Sequence, residues 1–341
     1  MKKYFLYIIT ISVLFSCRKE ISLDFPPVVE RLVVQGSIEP GFPPYVILTR
    51  NQGYFETIDS STYNNLFISD AEIMVFKVDD SEIIDSIELS FEMTGGFPVF
   101  SNLDFTIDWT NFSQEGFRYN LEINWNETLI TSTTTIPHSI PLDSIWIKET
   151  DNTQDNKYKC EINASYSDPD TIGNNILIRS KRVEHWKTDT TTNPLTKYQE
   201  NDNSLLLVDC GPDLLINGMA FETYFPRPSE QGGFPDGSYK PFRYKTFKDT
   251  ITGNQDSILI PEDVVLIKFC QVDLAAMKFW RGVVRLSTSG GNPFSEPMNL
   301  VSNINGGLGS WTGYGTKYYR VPILKNTTII EEYSPNILDI F

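Results

Sequence analysis

Apolar and polar residues alternate along much of this chain. Phe117, Tyr119, Leu121, Ile123 and Trp125 alternate with Arg118, Asn120, Glu122 and Asn124, which predicts a strand with five large apolar groups on one face and a wet opposite face. Tyr158, Cys160, Ile162, Ala164 and Tyr166 alternate in the same way with Lys159, Glu161, Asn163 and Ser165. Further strands are expected at 32–38 and 45–49 around a Pro/Gly-rich turn. Others are expected at 72–78 and 81–89 as a hairpin across Asp79-Asp80, at 129–136 where threonine is frequent, and at 143–148 and 174–186. Residues 264–272 are apolar on both faces and read as a central strand. One longer helix is predicted after Asp273, a candidate N-cap, with Met277, Trp280 and Val284 as its apolar stripe and Gly290-Gly291 as its stop.

A chain built mostly of strands, with one or a few short helices, predicts a mainly β fold of two β-sandwich-like (Ig-like) domains. Pro137 and Pro141 interrupt the pattern before it restarts, so the division is placed there, giving domains at 28–137 and 138–341. The segment 226–241, crowded with proline and glycine, reads as loop.

The first residues do not belong to this pattern. Met1-Lys2-Lys3, the apolar run Tyr4 to Phe15, and Ser16-Cys17 have the order of a secretory signal peptide, too short to span a bilayer as a stable helix. A cysteine at the cut predicts a lipoprotein leader of residues 1–16, with Cys17 the acylated first residue (palmitate among its acyl chains) and 17–27 a tether ending in Pro26-Pro27. No later segment approaches twenty consecutive apolar residues, so no transmembrane helix is expected.

Charge narrows the partners. The chain carries a net charge of −16, and loss of Lys2 and Lys3 takes the mature form to −18, which repels a phosphate backbone and argues against nucleic acid as a partner. Cys160, Cys210 and Cys270 allow at most one internal disulfide, and their spacing does not choose a pairing. Without a CxxC pair, and with His138 and His185 as the only histidines, neither a zinc site nor a Ser-His-Asp device is expected. Asp168-Pro169-Asp170-Thr171-Ile172-Gly173 has the acids and glycine of a calcium loop. Ile172 and Arg179 stand where oxygen ligands are needed, however, so it reads as a β-turn and no metal site or cofactor is assigned. Among the many acids, including the adjacent Glu331-Glu332, no pair is singled out for glycoside hydrolysis, and the protein is expected not to be an enzyme.

The C-terminal block runs from Asn292-Pro293-Phe294 to Ser302-Asn303-Ile304-Asn305-Gly306-Gly307-Leu308-Gly309-Ser310-Trp311-Thr312-Gly313-Tyr314-Gly315. It lacks GxGxxG and GxxxxGK[ST] spacing, so its glycines are expected to serve tight turns rather than phosphate. Trp311 and Tyr314 are the candidate ligand-binding residues, as flat faces for a sugar. This block resembles the C-terminal signature of the Bacteroidota outer-membrane lipoprotein family catalogued as domain of unknown function 4249. The likeness extends to the leader, Ile21-Ser22-Leu23-Asp24, Leu32-Val33-Val34, Leu48-Thr49-Arg50, Asp70-Ala71, and Asp168-Pro169 with Asn174-Asn175. Met277-Lys278-Phe279-Trp280 and Ser310-Trp311 depart from it. The resemblance implies an outer-membrane, lipid-anchored protein acting as a non-enzymatic accessory or binding subunit beside a TonB-dependent receptor. The alternatives are a surface adhesin or glycan binder, and behind these a hydrolase. Which side of the outer membrane it faces stays open. Six Asp-(Ser/Thr) sites, at Ser86, Ser144, Thr171, Thr190, Thr250 and Ser257, are similar to the O-glycosylation motif of exported proteins in that phylum.

The anchor is directly testable. A Cys17→Ala form expressed in a native host is expected to leave the membrane fraction, because each buried acyl CH2 contributes about 0.8 kcal/mol. The wild-type N-terminal peptide should carry the mass of its lipid; an unmodified Cys17 peptide would contradict the reading.

Overall fold

The computed structural model describes residues 29–52, 59, 65–94, 96–104, 106–149, 158–187, 198–202, 206–225, 238–239, 243–248, 253, 255–260, 262–289, 299–323 and 332–335. The leader, Cys17 and the tether lie outside these residues, as does the Asn292-Pro293-Phe294 part of the C-terminal block. Residues 31–51 and 57–341 belong to one compact unit, and the fold below is that unit's.

Its first half contains β1 (Leu32–Ile38), β2 (Tyr45–Arg50), β3 (Glu72–Asp79), β4 (Glu82–Thr94), β5 (Phe97–Ser101), the four-residue helix α1 (Trp109–Phe112), β6 (Arg118–Trp125) and β7 (Thr128–Thr135). The second half begins with β8 (Ser144–Glu149), β9 (Tyr158–Ser167), β10 (Asn175–Lys187), β11 (Tyr198–Asp202) and β12 (Leu206–Gly211). After a 3-10 turn at Asp213–Leu215 come β13 (Ala220–Phe225), β14 (Ser238–Tyr239), β15 (Arg243–Lys248), β16 (Gln255–Ile260), β17 (Val264–Val272), helix α2 (Leu274–Ser289), β18 (Ile304–Asn305) and β19 (Leu308–Pro322). The fold is mainly β and β-sandwich-like.

The predicted elements have physical counterparts. The β3/β4 hairpin turns at Asp80, whose φ of 49° is the left-handed geometry that Asp tolerates in a tight turn. On β6, Tyr119, Leu121 and Ile123 are buried while Phe117 and Trp125 pack at the margin of the same core, as the alternation requires. Asp273 caps α2 by accepting the Ala276 amide at 2.8 Å, and Met277 and Trp280 point into the core.

One long sheet runs in the order β11-β10-β17-β19-β1-β2-β5-β4-β3-β6-β7-β18, with β12 also on β10. It folds over on itself to enclose separate cores. In the first, Leu32, Val34, Val46 and Leu48 of β1 and β2 face Ile73, Val75, Leu121, Ile123 and Ile130 of β3, β6 and β7. In the second, Val265, Ile267 and Phe269 of β17 with Tyr319 and Val321 of β19 face Ile145, Ile162, Ala164 and Tyr166 on the smaller sheet of β8, β9, β13 and β14. On the other face of β10 and β17, Leu177, Cys270 and Val272 pack against α2. Among the described residues no disulfide is present; Cys160, Cys210 and Cys270 are buried thiols.

The first core is built from residues between Leu32 and Ile136 together with Ile304 and Trp311 of the C-terminal block. β19 is shared. Leu308 to Gly313 runs parallel to β1, and Tyr314 to Pro322 runs antiparallel to β17. This passage brings β19 hard against the end of β7: a Cβ on Gly313 would stand 2.3 Å from the Thr135 carbonyl oxygen, and one on Gly315 2.1 Å from that of Pro137. Those glycines are therefore needed for backbone approach.

A buried ion pair also crosses the junction. Lys268 Nζ on β17 lies 3.0 and 2.9 Å from the two carboxylate oxygens of Glu39, which follows β1, and the hydroxyls of Tyr318 and Thr316 donate to the same carboxylate at 2.8 and 3.2 Å. Burial and the Glu39 charge push the Tyr318 phenol well above its ordinary value, so it stays a donor. A second buried pair joins Arg182 and Asp263.

Two outcomes follow. Gly313→Ala is expected to cost about 3 kcal/mol by urea unfolding, whereas Gly211→Ala, with open space around it, should stay within about 0.5 kcal/mol. Lys268→Met alone should cost about 3–5 kcal/mol by stranding a buried carboxylate. Adding Glu39→Leu should recover part of that loss, and a strictly additive double variant would contradict the pairing.

Candidate functional site

The Gly-rich block is built as a clamp. Gly306, at φ 84°, turns the chain between β18 and β19. The side-chain amide of Asn303 spans that turn, donating to the Trp311 carbonyl at 2.7 Å and accepting the Trp311 amide at 2.9 Å, as a neighbouring strand would. The Trp311 ring fills the space left by Gly36, where a Cβ would meet it at 2.7 Å, and its Nε1 donates to the Tyr119 carbonyl at 3.1 Å.

Trp311 is 0% exposed and Tyr314 2%, so the expectation that they offer flat faces to a ligand is corrected. Three residues apart on a strand, they point to opposite sides of β19, and both sides are covered. Trp311 enters the first core. Tyr314 joins α2, with Lys268 Nζ 4.5 Å from its ring centroid. Burial, the largest influence, pushes the Tyr314 phenol far above its ordinary range.

The other candidates are scattered. Ser86 is exposed on β4 and Thr171 is exposed in the loop after β9, while Ser144 is half-buried with its hydroxyl 2.6 Å from that of Ser165. Thr190, Thr250 and Cys17 lie outside the described residues, as does the side chain of Ser257 on β16. His138 is exposed and 3.5 Å from Glu115, and the His185 side chain is outside the described set. Glu115 also lines an open hollow beside α1 with Thr110, Gln114 and Phe117. Glu115 is the one carboxylate in that lining, where hydrolysis of a glycoside needs two.

Carboxylates do face each other elsewhere, at Asp168 after β9 and Asp213 on the 3-10 turn. Asp168 is 6% exposed and Asp213 1%. The Asp168 carboxyl is pushed up, first by burial and then by the charge and contact of Asp213. The loop 168–174 alone does not reveal this pairing, because its partner comes from the Asp213-Leu214-Leu215-Ile216-Asn217-Gly218 turn between β12 and β13. The signal available in sequence was an acid and an amide four residues apart before glycine, a pattern equally common in turns.

Apolar side chains are exposed at the end of the β4/β5 hairpin, as they are at Ile83, Ile172 and Leu214 elsewhere. Met93 is 63% exposed and Phe97 62%, and Phe91 is partly open beside Phe100, with ring centroids 5.5 Å apart. No helix of the described residues is long and apolar enough to cross a membrane.

A search of curated proteins finds no match. A comparison with protein families matches residues 18–320, which spans the hairpin, both buried ion pairs, the Asp168 loop and nearly all of the shared strand. The chain therefore belongs to the family described as domain of unknown function (DUF4249).

Proposed function

We propose that this protein is a non-enzymatic outer-membrane lipoprotein, held by acyl chains on Cys17, that serves as an accessory or binding subunit of a TonB-dependent uptake system. The observation that carries the proposal is the apolar end of the β4/β5 hairpin, where Phe91, Met93 and Phe97 stand in water on a chain of net charge −16. Apolar side chains gathered at one exposed hairpin mark a protein-contact surface more often than a catalytic one. The leader supports the membrane setting, and what the family resemblance implies supports the choice of partner. A glycan-binding role through Trp311 and Tyr314 loses its support because both rings are buried.

Cross-linking in intact cells of a native host, followed by identification of the captured protein, tests the proposal. Wild type should bring down an outer-membrane transporter. A Met93→Glu/Phe97→Glu variant should fold normally and bind about a hundredfold more weakly, since burial of each large side chain contributes roughly 1.5–3 kcal/mol. Capture without any transporter, or capture indifferent to the variant, would defeat it.

A further inference from the structure

The buried oxygens around Asp168 have more acceptors than donors. Asp168 Oδ1 accepts the Tyr166 hydroxyl at 3.0 Å and the Asn174 amide at 2.9 Å, and Asp213 Oδ2 accepts the Gly173 amide at 2.6 Å. Asn217 Nδ2 donates to Asp170 Oδ1 at 3.0 Å. These bonds orient each side chain and leave one oxygen over on each. Asp168 Oδ2, Asn174 Oδ1, Asp213 Oδ1 and Asn217 Oδ1 are buried with no hydrogen-bond partner among the described residues. The Asn174 orientation is not arbitrary, because exchanging its O and N would set oxygen against Asp168 Oδ1.

Such a set is costly in a protein interior. A buried carboxylate is stable when paired or when it coordinates a cation, and neither Asp168 nor Asp213 has an ion-pair partner among the described residues. One proton shared between the two carboxylates would satisfy a single pair and leave both amide oxygens without a donor. A divalent cation held between the loop and the turn would give these oxygens a partner and offset both charges. No three His, Cys, Asp or Glu side chains converge among the described residues, so the donors are two carboxylates and two amide carbonyls, all of them oxygen. Oxygen-only donors exclude a zinc-type preference, and irregular placement on a loop and a 3-10 turn suits calcium better than magnesium, which demands near-ideal octahedral geometry.

We propose that Asp168, Asn174, Asp213 and Asn217 hold a calcium ion that ties the loop after β9 to the 3-10 turn before β13. The two oxygen ligands that the local loop lacks, with Ile172 and Arg179 in their places, come instead from Asp213 and Asn217. Asn174 supplies the evidence independent of the acids: a neutral amide, 9% exposed, whose oxygen has no proton to accept.

The test uses the purified mature chain after treatment with a chelator. Calorimetric titration with calcium chloride should show one saturable site, with Kd on the order of 10⁻⁴ to 10⁻³ M or tighter, the range of exported calcium modules. Terbium, a calcium-sized reporter excited through the adjacent Tyr166, should luminesce on binding and be displaced by calcium. Asp213→Asn and Asp168→Asn should each weaken binding at least about tenfold, since affinity follows ligand charge. Asn217→Ala, at a half-buried position that tolerates change, should weaken it while the circular dichroism spectrum is kept. Asp143→Asn, outside the cluster, should bind as wild type does. Absence of both heat and terbium emission from folded wild type at millimolar metal would overturn the proposal, as would affinity unaltered in all three ligand variants.

Discussion

The backbone hydrogen bonds of the final long strand, Leu308–Pro322, are the constraint on which the rest depends. Its first part completes the sheet beside β1 and its second part completes the sheet beside β17, so neither sandwich has a full set of strands without it. A buried strand with unpaired amides and carbonyls is strongly disfavoured, which makes docking of this segment obligatory for both halves. The tryptophan in the first part adds burial that typically contributes about 3–5 kcal/mol.

That arrangement gives the glycine-rich signature a physical meaning. Gly36 makes room for a ring, Gly306 takes a left-handed turn, and Gly313 and Gly315 admit the crossing carbonyls of Thr135 and Pro137. Each function is packing. A glycine-rich stretch in a family of unknown role invites comparison with phosphate loops, yet here the close neighbours are the protein's own backbone.

Polar chemistry lies under the surface. Glu39 with Lys268, Arg182 with Asp263, and the Asp168 group are all buried, where charges register one segment against another and removal of a single partner is punished. What meets water includes acids, cations such as Arg118 and Lys278, and apolar side chains such as Met93, Phe97, Ile172 and Leu214.

Periodicity alone determined the mainly β class, the β3/β4 hairpin, the wet and dry faces of β6, the central position of β17, and the capped helix after Asp273. These depend on a residue and its neighbours within one element, where a period of two or 3.6 reports directly on burial. The excess of acid was an equally local fact. Tertiary structure decided what distance along the chain conceals. Trp311 and Tyr314 read as surface aromatics because glycines flank them, but the facing strands of the first core cover Trp311 and helix α2 covers Tyr314. The Asp168 loop looked short of ligands for the same reason: Asp213 and Asn217 reach it only through the pairing of β12 with β10 and of β13 with β9. Contacts of long sequence separation leave no periodic trace, since they are set by how sheets close rather than by any one strand's pattern.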